Sequence, residues 1–386
     1  MKVLFVFHGM VKNAGKVSVS GGDVRLLEII KRTPKVEPYL LTTPNGREFM
    51  SKYDVKYRQA YVFKRVMSGG LIDNLMMSIN SWFYGSTGVK KYKDGAVYSS
   101  CEHLYDVLPA LRLKLFNKCK WYAVYHWVED YPWREKRGNT PPVPRYAYWL
   151  NRWFSGFLIK HFADQILAVS DQTKEKLVRM KRIPTPKLKA VYCGVDYAAI
   201  DKVAKKHASE KAKTYDAVFM KRLNYGKGVL DLLKIWNEVC KQKKDARLAI
   251  IGDGSEEVLA KVRAFIKKHK LEKNIHILGV IYDFTEKFRI LNSAKIFLLP
   301  THEENWAIVI GEAMACDLPV VVSRLKEIEP IWKDNVVWSE VGDIQGFADN
   351  VLQLLGSEKN RTALAKKAKR FVKQYDWQTI AEQEFN

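Results

Sequence analysis

Short runs rich in valine, isoleucine and leucine recur along the whole chain, and each is followed by an amphipathic segment of helix length. Continuous apolar runs of this kind do not suit a sheet with one wet face. They require a parallel sheet covered on both faces, in which each strand is returned by a crossover helix. In the first half the expected strands are Lys2–His8, Pro38–Thr42, Ala96–Ser99, Trp121–Tyr125, Gln165–Ser170 and Leu188–Tyr192. In the second half they are Asp216–Met220, Arg247–Gly252, Asn274–Leu278, Lys295–Pro300 and Pro319–Val322. Two such series predict an α/β chain of two doubly wound domains, which 386 residues are enough to fill. Val195–Tyr215, rich in lysine and poor in large apolar side chains, reads as the connection between them with one solvated helix.

Composition removes several classes. No uninterrupted apolar stretch reaches the ~20 residues of a membrane-spanning helix. The opening Lys2–His8 is too short, and has the wrong flanks, for a signal peptide. The cysteines (Cys101, Cys119, Cys193, Cys240, Cys316) are odd in number and never spaced C-x-x-C, which argues against a disulfide framework or a zinc site and for a reducing cytoplasm. Lys and Arg number 65 against 42 Asp and Glu, a net charge of +23. By count along the sequence, residues 1–200 carry +17 of it and residues 201–386 only +6. Such a field favours a polyanion, an anionic membrane surface or an anionic substrate. A basic nucleic-acid-binding protein is the competing class, but no zinc finger, RRM signature, KH loop or recognition helix supports it. The expectation is that no nucleic acid binds.

In open parallel sheets, ligands bind outside the carboxyl ends of the strands, so the residues just after each strand matter most. With two facing domains the interdomain cleft is the expected site. After the first strand, Gly21 and Gly22 open the helix Val24–Lys31 and leave backbone N–H groups accessible to a phosphate, although glycines there also serve turn geometry. His126, followed by Trp127 and Glu129, ends the strand Trp121–Tyr125; it either faces the cleft or packs as a loop histidine. Lys221–Gly228 places cations around a turn before the helix Val229–Lys241. There an anion meets the Arg222 guanidinium, the Lys227 ammonium and free N–H groups together, while Lys221 reads as a solvated turn residue. No G-x-x-x-x-G-K-[ST] spacing exists, which excludes a Walker A loop. Glu304 and Glu312 are eight positions apart, roughly 80° and about 12 Å on helix geometry. That is too far for a hydrolase pair at about 5–9 Å, but suits hydroxyls at two ends of an elongated ligand such as a sugar and a ribose. Glu303 reads as a helix cap.

The Gly21-Gly22 turn, His126, Tyr192-Cys193-Gly194-Val195-Asp196, Arg222 with Lys227-Gly228, Gly252-Asp253-Gly254, Leu278-Gly279, Glu304-x7-Glu312 and the closing Tyr375-Asp376-Trp377 follow one another in a familiar order. In this the chain resembles, over nearly its full length, the retaining GT-B glycosyltransferases of family 4, the group-1 type. The resemblance implies two Rossmann-like domains facing an interdomain cleft. Residues 1–195 would bind the acceptor, residues 196–370 the nucleotide sugar, and residues 371–386 would form a helix packing back toward the first domain. It implies a retaining hexosyltransferase-type enzyme with a nucleoside-diphosphate sugar as donor, and neither cofactor nor metal; no D-x-D motif occurs. By the same resemblance Arg222 and Lys227 neutralise the departing diphosphate, Glu304 binds the donor sugar, Glu312 binds the ribose, and His126 lies beside the sugar. Gly21, Gly22, Gly252, Val280, Asn305, Trp306, Ala307, Ile308 and Val309 line the donor. The chain departs from the family pattern in three places. Asn305-Trp306-Ala307 stands for Gly-Phe-Gly, Asp317 stands for a glycine, and Ser323–Glu327 stands for a Gly-Gly turn. These departures leave donor identity open and keep a catalytically inactive relative as an alternative.

The basic first half holds two candidate membrane segments, the aromatic and basic Tyr57–Met67 running on toward Trp82-Phe83-Tyr84, and the amphipathic Pro109–Lys120. Leu111, Leu113 and Leu115 equally fit a core element. Trp149, Trp153, Phe154 and Phe157 read as core. The resulting expectation is a peripheral enzyme on the cytoplasmic face of an anionic membrane, glycosylating a lipid-linked sugar or glycan precursor, with a soluble acceptor as the alternative.

Overall fold

In the computed structural model, residues 1–9, 12–13, 16–17, 20–64, 71–84, 87–128, 131–133, 142–207 and 213–385 are described. Glu129 and the Arg65–Met67 end of the basic stretch lie outside them. The chain forms two compact units, Met1–Cys193 with Trp377–Asn386, and Gly194–Asp376.

In the N-terminal unit the strands are β1 (Lys2–Phe7), β2 (Glu37–Thr42), β3 (Gln59–Val62), β4 (Ala96–Ser99), β5 (Lys120–Tyr125), β6 (Gln165–Ala168) and β7 (Leu188–Ala190). All pair in parallel, in the spatial order β3-β2-β1-β4-β5-β6-β7. The direction of winding reverses between β1 and β4, where Val3 pairs with Ala96. The helices are α1 (Gly21–Arg32), α2 (Pro44–Lys52), α3 (Leu71–Trp82), α4 (Leu104–Asn117), α5 (Pro142–Phe162) and α6 (Asp171–Lys181). Alternate residues of β1 feed two cores. Leu4 and Val6 join Met77, Val107, Leu111 and Ile159 from α3, α4 and α5, whereas Val3, Phe5 and Phe7 join Leu26, Ile30 and Phe49 from α1 and α2. This is why the strand reads as one unbroken apolar run.

The C-terminal unit repeats the plan. Its strands β8 (Tyr215–Met220), β9 (Leu248–Ile251), β10 (Ile275–Gly279), β11 (Ala294–Leu299), β12 (Val320–Ser323) and β13 (Val337–Ser339) lie in the order β10-β9-β8-β11-β12-β13. Its helices are α7 (Tyr197–Lys206), α8 (Val229–Gln242), α9 (Glu256–Lys268), α10 (Phe284–Asn292), α11 (Ile308–Ala315), α12 (Glu329–Trp332), α13 (Ile344–Gly356) and α14 (Glu358–Val372).

Four expectations need correction. Gln59–Val62, read as part of a basic insertion, is the edge strand β3, with Tyr61 and Phe63 in the core. Val195–Tyr215 is not merely a solvated connection, because α7 buries Ile200, Val203 and Ala204 and packs on α10 and α11. Within Pro109–Lys120, Leu111 and Leu113 are buried while Leu115 is exposed. Trp153, Phe154 and Phe157 are not core residues; each is exposed on α5.

The last helix, α15 (Trp377–Glu384), packs on α1. Its Glu384 is buried and pairs with Arg25, itself buried. Tyr98 Oη donates to Glu384 at 2.7 Å, and Arg25 also donates to Tyr98 Oη at 3.0 Å and to the Tyr192 carbonyl at 3.2 Å. Phe385 then sets its ring against Phe5, Tyr98 and Tyr122. Removing one member of a buried pair strands the other charge without water. Glu384→Ala is therefore expected to cost about 3–5 kcal/mol in urea unfolding, whereas Arg25→Met with Glu384→Leu together should cost far less.

Candidate active site

The winding of the C-terminal sheet reverses between β8 and β11, the position at which such sheets bind ligands. β8 runs into Lys221 and β11 into Pro300–Glu304. The two loops are tied to each other: Thr301 Oγ1 donates to the Gly226 carbonyl at 3.1 Å, the His302 N–H donates to it at 2.9 Å, and Lys227 Nζ donates to the Glu303 carbonyl at 2.7 Å. The loop after β9 closes on the same place. Gly252 has φ +145°, and a Cβ there would stand 1.9 Å from the Lys221 carbonyl, so no side chain is tolerated at this approach.

Glu304 is buried at the centre. Its Oε1 lies 2.8 Å from Lys221 Nζ and 3.3 Å from Lys227 Nζ. Burial pushes this carboxyl up, but the two ammonium groups outweigh burial and hold it below its ordinary value. Burial lowers the Lys227 ammonium, a shift that Glu304 only partly opposes. Glu304 precedes α11 and is not on it, so the helical spacing expected between Glu304 and Glu312 does not apply. Glu312 does lie on α11, with Oε1 3.0 Å from Lys287 Nζ of α10.

The roles expected within the basic turn are redistributed. Lys221, read as solvated, is three-quarters or more covered and ion-paired, while Arg222 is exposed. Among the described residues Arg222 has no hydrogen-bonding or ion-pairing partner, which leaves its guanidinium available to an anion. α11 begins at Ala307, in the left-handed region at φ +59°, with no side-chain cap. The first N–H groups of the helix, at Ile308 and Val309, thus have no intrahelical acceptor. Trp306 is buried, its ring edge-on to Trp332 at 4.7 Å and to Tyr375 at 5.2 Å, so its indole serves an aromatic cluster. Asn305 is half-buried, and Val280, just after β10, is exposed.

In the N-terminal unit the corresponding reversal lies between β1 and β4. After β4 comes Glu102, buried, with Arg152 at 3.3 Å and the His126 N–H donating to it at 3.2 Å. Arg152 and His126 hold this carboxyl low despite its burial. His126 ends β5 and donates from Nε2 to the Ser100 carbonyl at 2.9 Å. Its burial disfavours the imidazolium, so the ring is neutral at neutral pH. Gly22 packs beneath that ring: a Cβ there would sit 3.1 Å from His126 Cε1. Gly21 and Gly22 open α1 as expected, but Ser20 and Asp23 already cap its N-terminus reciprocally. Lys221, Glu102 and Arg152 were not singled out from sequence. Glu102 could have been, since it lies just beyond a strand's carboxyl end.

The fold has close counterparts. The solved structure of Anabaena Alr3699/HepE in complex with UDP superposes with a TM-score of 0.74 at 15% identity, covering 99% of this chain and 98% of that one. Residues 201–371 match the family model described as Glycosyl transferases group 1, and residues 101–199 match Glycosyltransferase Family 4. The fold is the two-domain GT-B fold. Among curated proteins similar to this chain, the N-acetyl-alpha-D-glucosaminyl L-malate synthase of Bacillus anthracis is 30% identical over 166 residues, 42% of this chain and 41% of that one. The phosphatidyl-myo-inositol mannosyltransferase of Mycobacterium leprae is 31% identical over 160 residues, 41% of each chain. The chain spans less than half the length of the curated relatives it matches first, at 41%, 47% and 38%.

Two outcomes follow from this geometry. An alanine at left-handed φ costs about 1–2 kcal/mol that glycine avoids, set against about 0.4–1 kcal/mol of extra freedom for glycine when unfolded. Ala307→Gly is thus expected to raise stability by about 0.5–1 kcal/mol, read as a higher Tm. Glu304 is held below its ordinary value of 4.5 in the folded chain, so on acidification the unfolded chain takes up that proton first. The stability it contributes is complete above pH 4.5 and is lost as pH falls through the folded value. Glu304→Gln should flatten this acid limb of the unfolding free energy measured against pH.

Proposed function

We propose that this protein is a retaining glycosyltransferase that moves a sugar from a nucleoside-diphosphate sugar, with UDP as the first nucleotide to test, to a lipid-linked acceptor at the cytoplasmic face of a membrane. The observation that carries the donor half is the pairing of Lys221 and Lys227 with the buried Glu304, with the uncapped start of α11 just after it and the exposed Arg222 on the same basic turn. Such a set stabilises a diphosphate while leaving one carboxylate fixed for hydroxyl groups. The solved Anabaena counterpart holds UDP, which supports the choice of nucleotide.

In this reading the C1–O bond to the diphosphate breaks and its electron pair leaves on the phosphate oxygen. The acceptor hydroxyl oxygen bonds to C1 from the same face, and its proton passes to the departing phosphate. Fixed cations aimed at the developing charge lower the barrier without reorganising. Arg222 and Lys227 take this role, Glu304 orients the sugar hydroxyls, and Glu312, set by Lys287, receives the ribose. His126 is assigned to the transferred sugar, where its neutral ring donates or accepts without adding charge. With three cations supplied by the chain, the reading assigns no step to a divalent ion.

A membrane-borne acceptor is supported by the excess of +17 in residues 1–200 and by the lipid named for the Mycobacterium leprae relative. A small soluble acceptor is the second reading, favoured by the malate named for the Bacillus anthracis relative.

Arg222→Ala is expected to lower kcat by about 10²–10³ with no change in Tm, since its side chain has no described partner to lose. Lys227→Ala should lower both, because it leaves the buried Glu304 with Lys221 as its one ammonium partner. The screen begins with thermal shifts by UDP-, GDP- and ADP-sugars, followed by NMR of the product anomer with and without EDTA. No shift with any of them would remove the donor reading, and an inverted anomer would remove retention.

A further inference from the structure

Two neighbouring helices of the N-terminal unit turn large apolar side chains to the outside. On α3 and just past its end, Ile72, Leu75, Met76, Ile79 and Phe83 are 43–78% exposed, and their spacing places them along one face. The opposite side of α3 buries Asp73, Ser78 and Ser81 beside Met77. A surface helix of a globular domain does the reverse. On α5, Tyr146, Leu150, Trp153, Phe154 and Phe157 are 45–54% exposed at helical spacing, while Ser155, which donates to the Glu102 carbonyl at 2.6 Å, is buried along with Leu158 and Ile159. The two faces adjoin, because Leu75 lines a cavity of about 230 Å³ together with Ala147, Tyr148 and Asn151 of α5. The end of α4, which packs against both helices, adds Leu115 and Phe116, the latter 70% exposed. Single exposed apolar side chains need no explanation, but an adjoining set on three helices does.

The charge on these helices selects the occupant. α3, α4 and α5 contain Arg112, Lys114, Arg145, Arg152 and Lys160, of which Arg152 is paired with the buried Glu102 and Lys114 with Asp164 at 2.7 Å; their own carboxylates, Asp73 and Asp106, are buried. The outward surface therefore combines large apolar and aromatic side chains with cations, and Asp164, just past α5, is held by Lys114. Arg112 sits over the rings of Tyr84 at 4.8 Å and Phe116 at 6.0 Å, and Lys118 is exposed at the end of α4. A second copy on a two-fold axis would bring this cationic patch against itself. An anionic bilayer meets both halves of the chemistry: headgroup phosphates take the lysines, and the acyl boundary takes the Trp, Phe and Leu side chains.

We propose that the outward faces of α3 and α5, with the end of α4, seat the N-terminal unit on an anionic bilayer. Ile79, Trp153 and Phe157 enter the boundary between headgroups and chains, and Lys118 and Lys160 meet the phosphates. This surface differs from the Tyr57–Met67 segment expected from sequence, whose described part is largely strand β3. The proposal rests on the reading of a membrane-borne acceptor and gives it a location.

The test is flotation of the full chain with vesicles of phosphatidylcholine, with and without phosphatidylglycerol. It compares the unaltered chain with Ile79→Glu/Phe157→Glu and with the milder Trp153→Ser/Phe157→Ser. The unaltered chain should float with the anionic vesicles and release at high salt, and each variant should lose about tenfold or more in bound fraction. UDP-induced thermal shifts on the same samples should be equal; they report the folding of each variant, and if the Glu variant does not fold the Ser variant carries the comparison. Equal flotation of variants and unaltered chain would overturn this surface while leaving the membrane reading in place. No flotation of the unaltered chain at low salt would overturn both, and a retained UDP shift would then keep the donor reading and favour a soluble acceptor. A dimer that the variants convert to monomer, seen by light scattering without flotation, would overturn the proposal by assigning the face to self-association.

Discussion

Parallel pairing is the constraint on which everything else in this molecule rests. A parallel strand cannot be returned by a tight turn, so each needs a crossover, and every crossover leaves a loop at the carboxyl end of a strand. In both sheets the order winds outward from a central first strand and then restarts on its other side. The loops on either side of that reversal part from each other and open a crevice. Lys221 and Glu304 lie at one such crevice, and the buried Glu102 marks the other. The sites are consequences of strand order before they are consequences of particular side chains.

At the C-terminal crevice the decisive term is desolvation. A carboxylate as buried as Glu304 is tolerated only if opposite charge approaches closely, and two ammonium groups do so at 2.8 and 3.3 Å. Lys221, Lys227 and Arg222 of this turn exceed the two carboxylates, Glu304 and Glu303, the latter 3.8 Å from Lys227, by one positive charge, with an uncapped helix start alongside. An isolated protein holds such an excess at a cost, and a dianionic group is the species that relieves it. The N-terminal crevice is built on the opposite plan. Glu102 is neutralised by Arg152, the start of α1 is closed by Ser20 and Asp23, and His126 is kept uncharged.

Strands buried on both faces were legible in the sequence because an unbroken run such as Val3–Phe7 has few other destinations. The edge strands Gln59–Val62 and Val337–Ser339 were not, since each is short and only partly covered, and an edge needs no continuous run. Position after a strand was enough to single out His126, Arg222, Lys227 and Glu304. Lys221 was missed because a lysine beginning a turn looks solvated until the carboxylate opposite, 83 positions later in the chain, is placed. The aromatic residues of α5 expose a different limit. Periodicity shows that Leu150, Trp153, Phe154 and Phe157 share a face, but not whether that face turns inward. The contacts of its other side decide that: Ser155 donates to the Glu102 carbonyl, and Leu158 and Ile159 enter the core.

Two departures from the expected glycine pattern have one physical feature in common. Ala307 and Asp317 flank α11, and both have left-handed backbone, at φ +59° and +57°. Asp tolerates that region better than most residues, and Asp317 is further held by Lys369, which also pairs with Asp201 at 2.8 Å and so links α14 to α7. Ala307 has no polar side chain with which to offset the strain. What holds it is the packing on either side: Trp306 locked between Trp332 and Tyr375 before it, and Ile310, buried, after it. The aromatic cluster thus acts on the crevice without entering it. By fixing Trp306 it fixes the backbone at Ala307, and with it the direction in which the first N–H groups of α11 point.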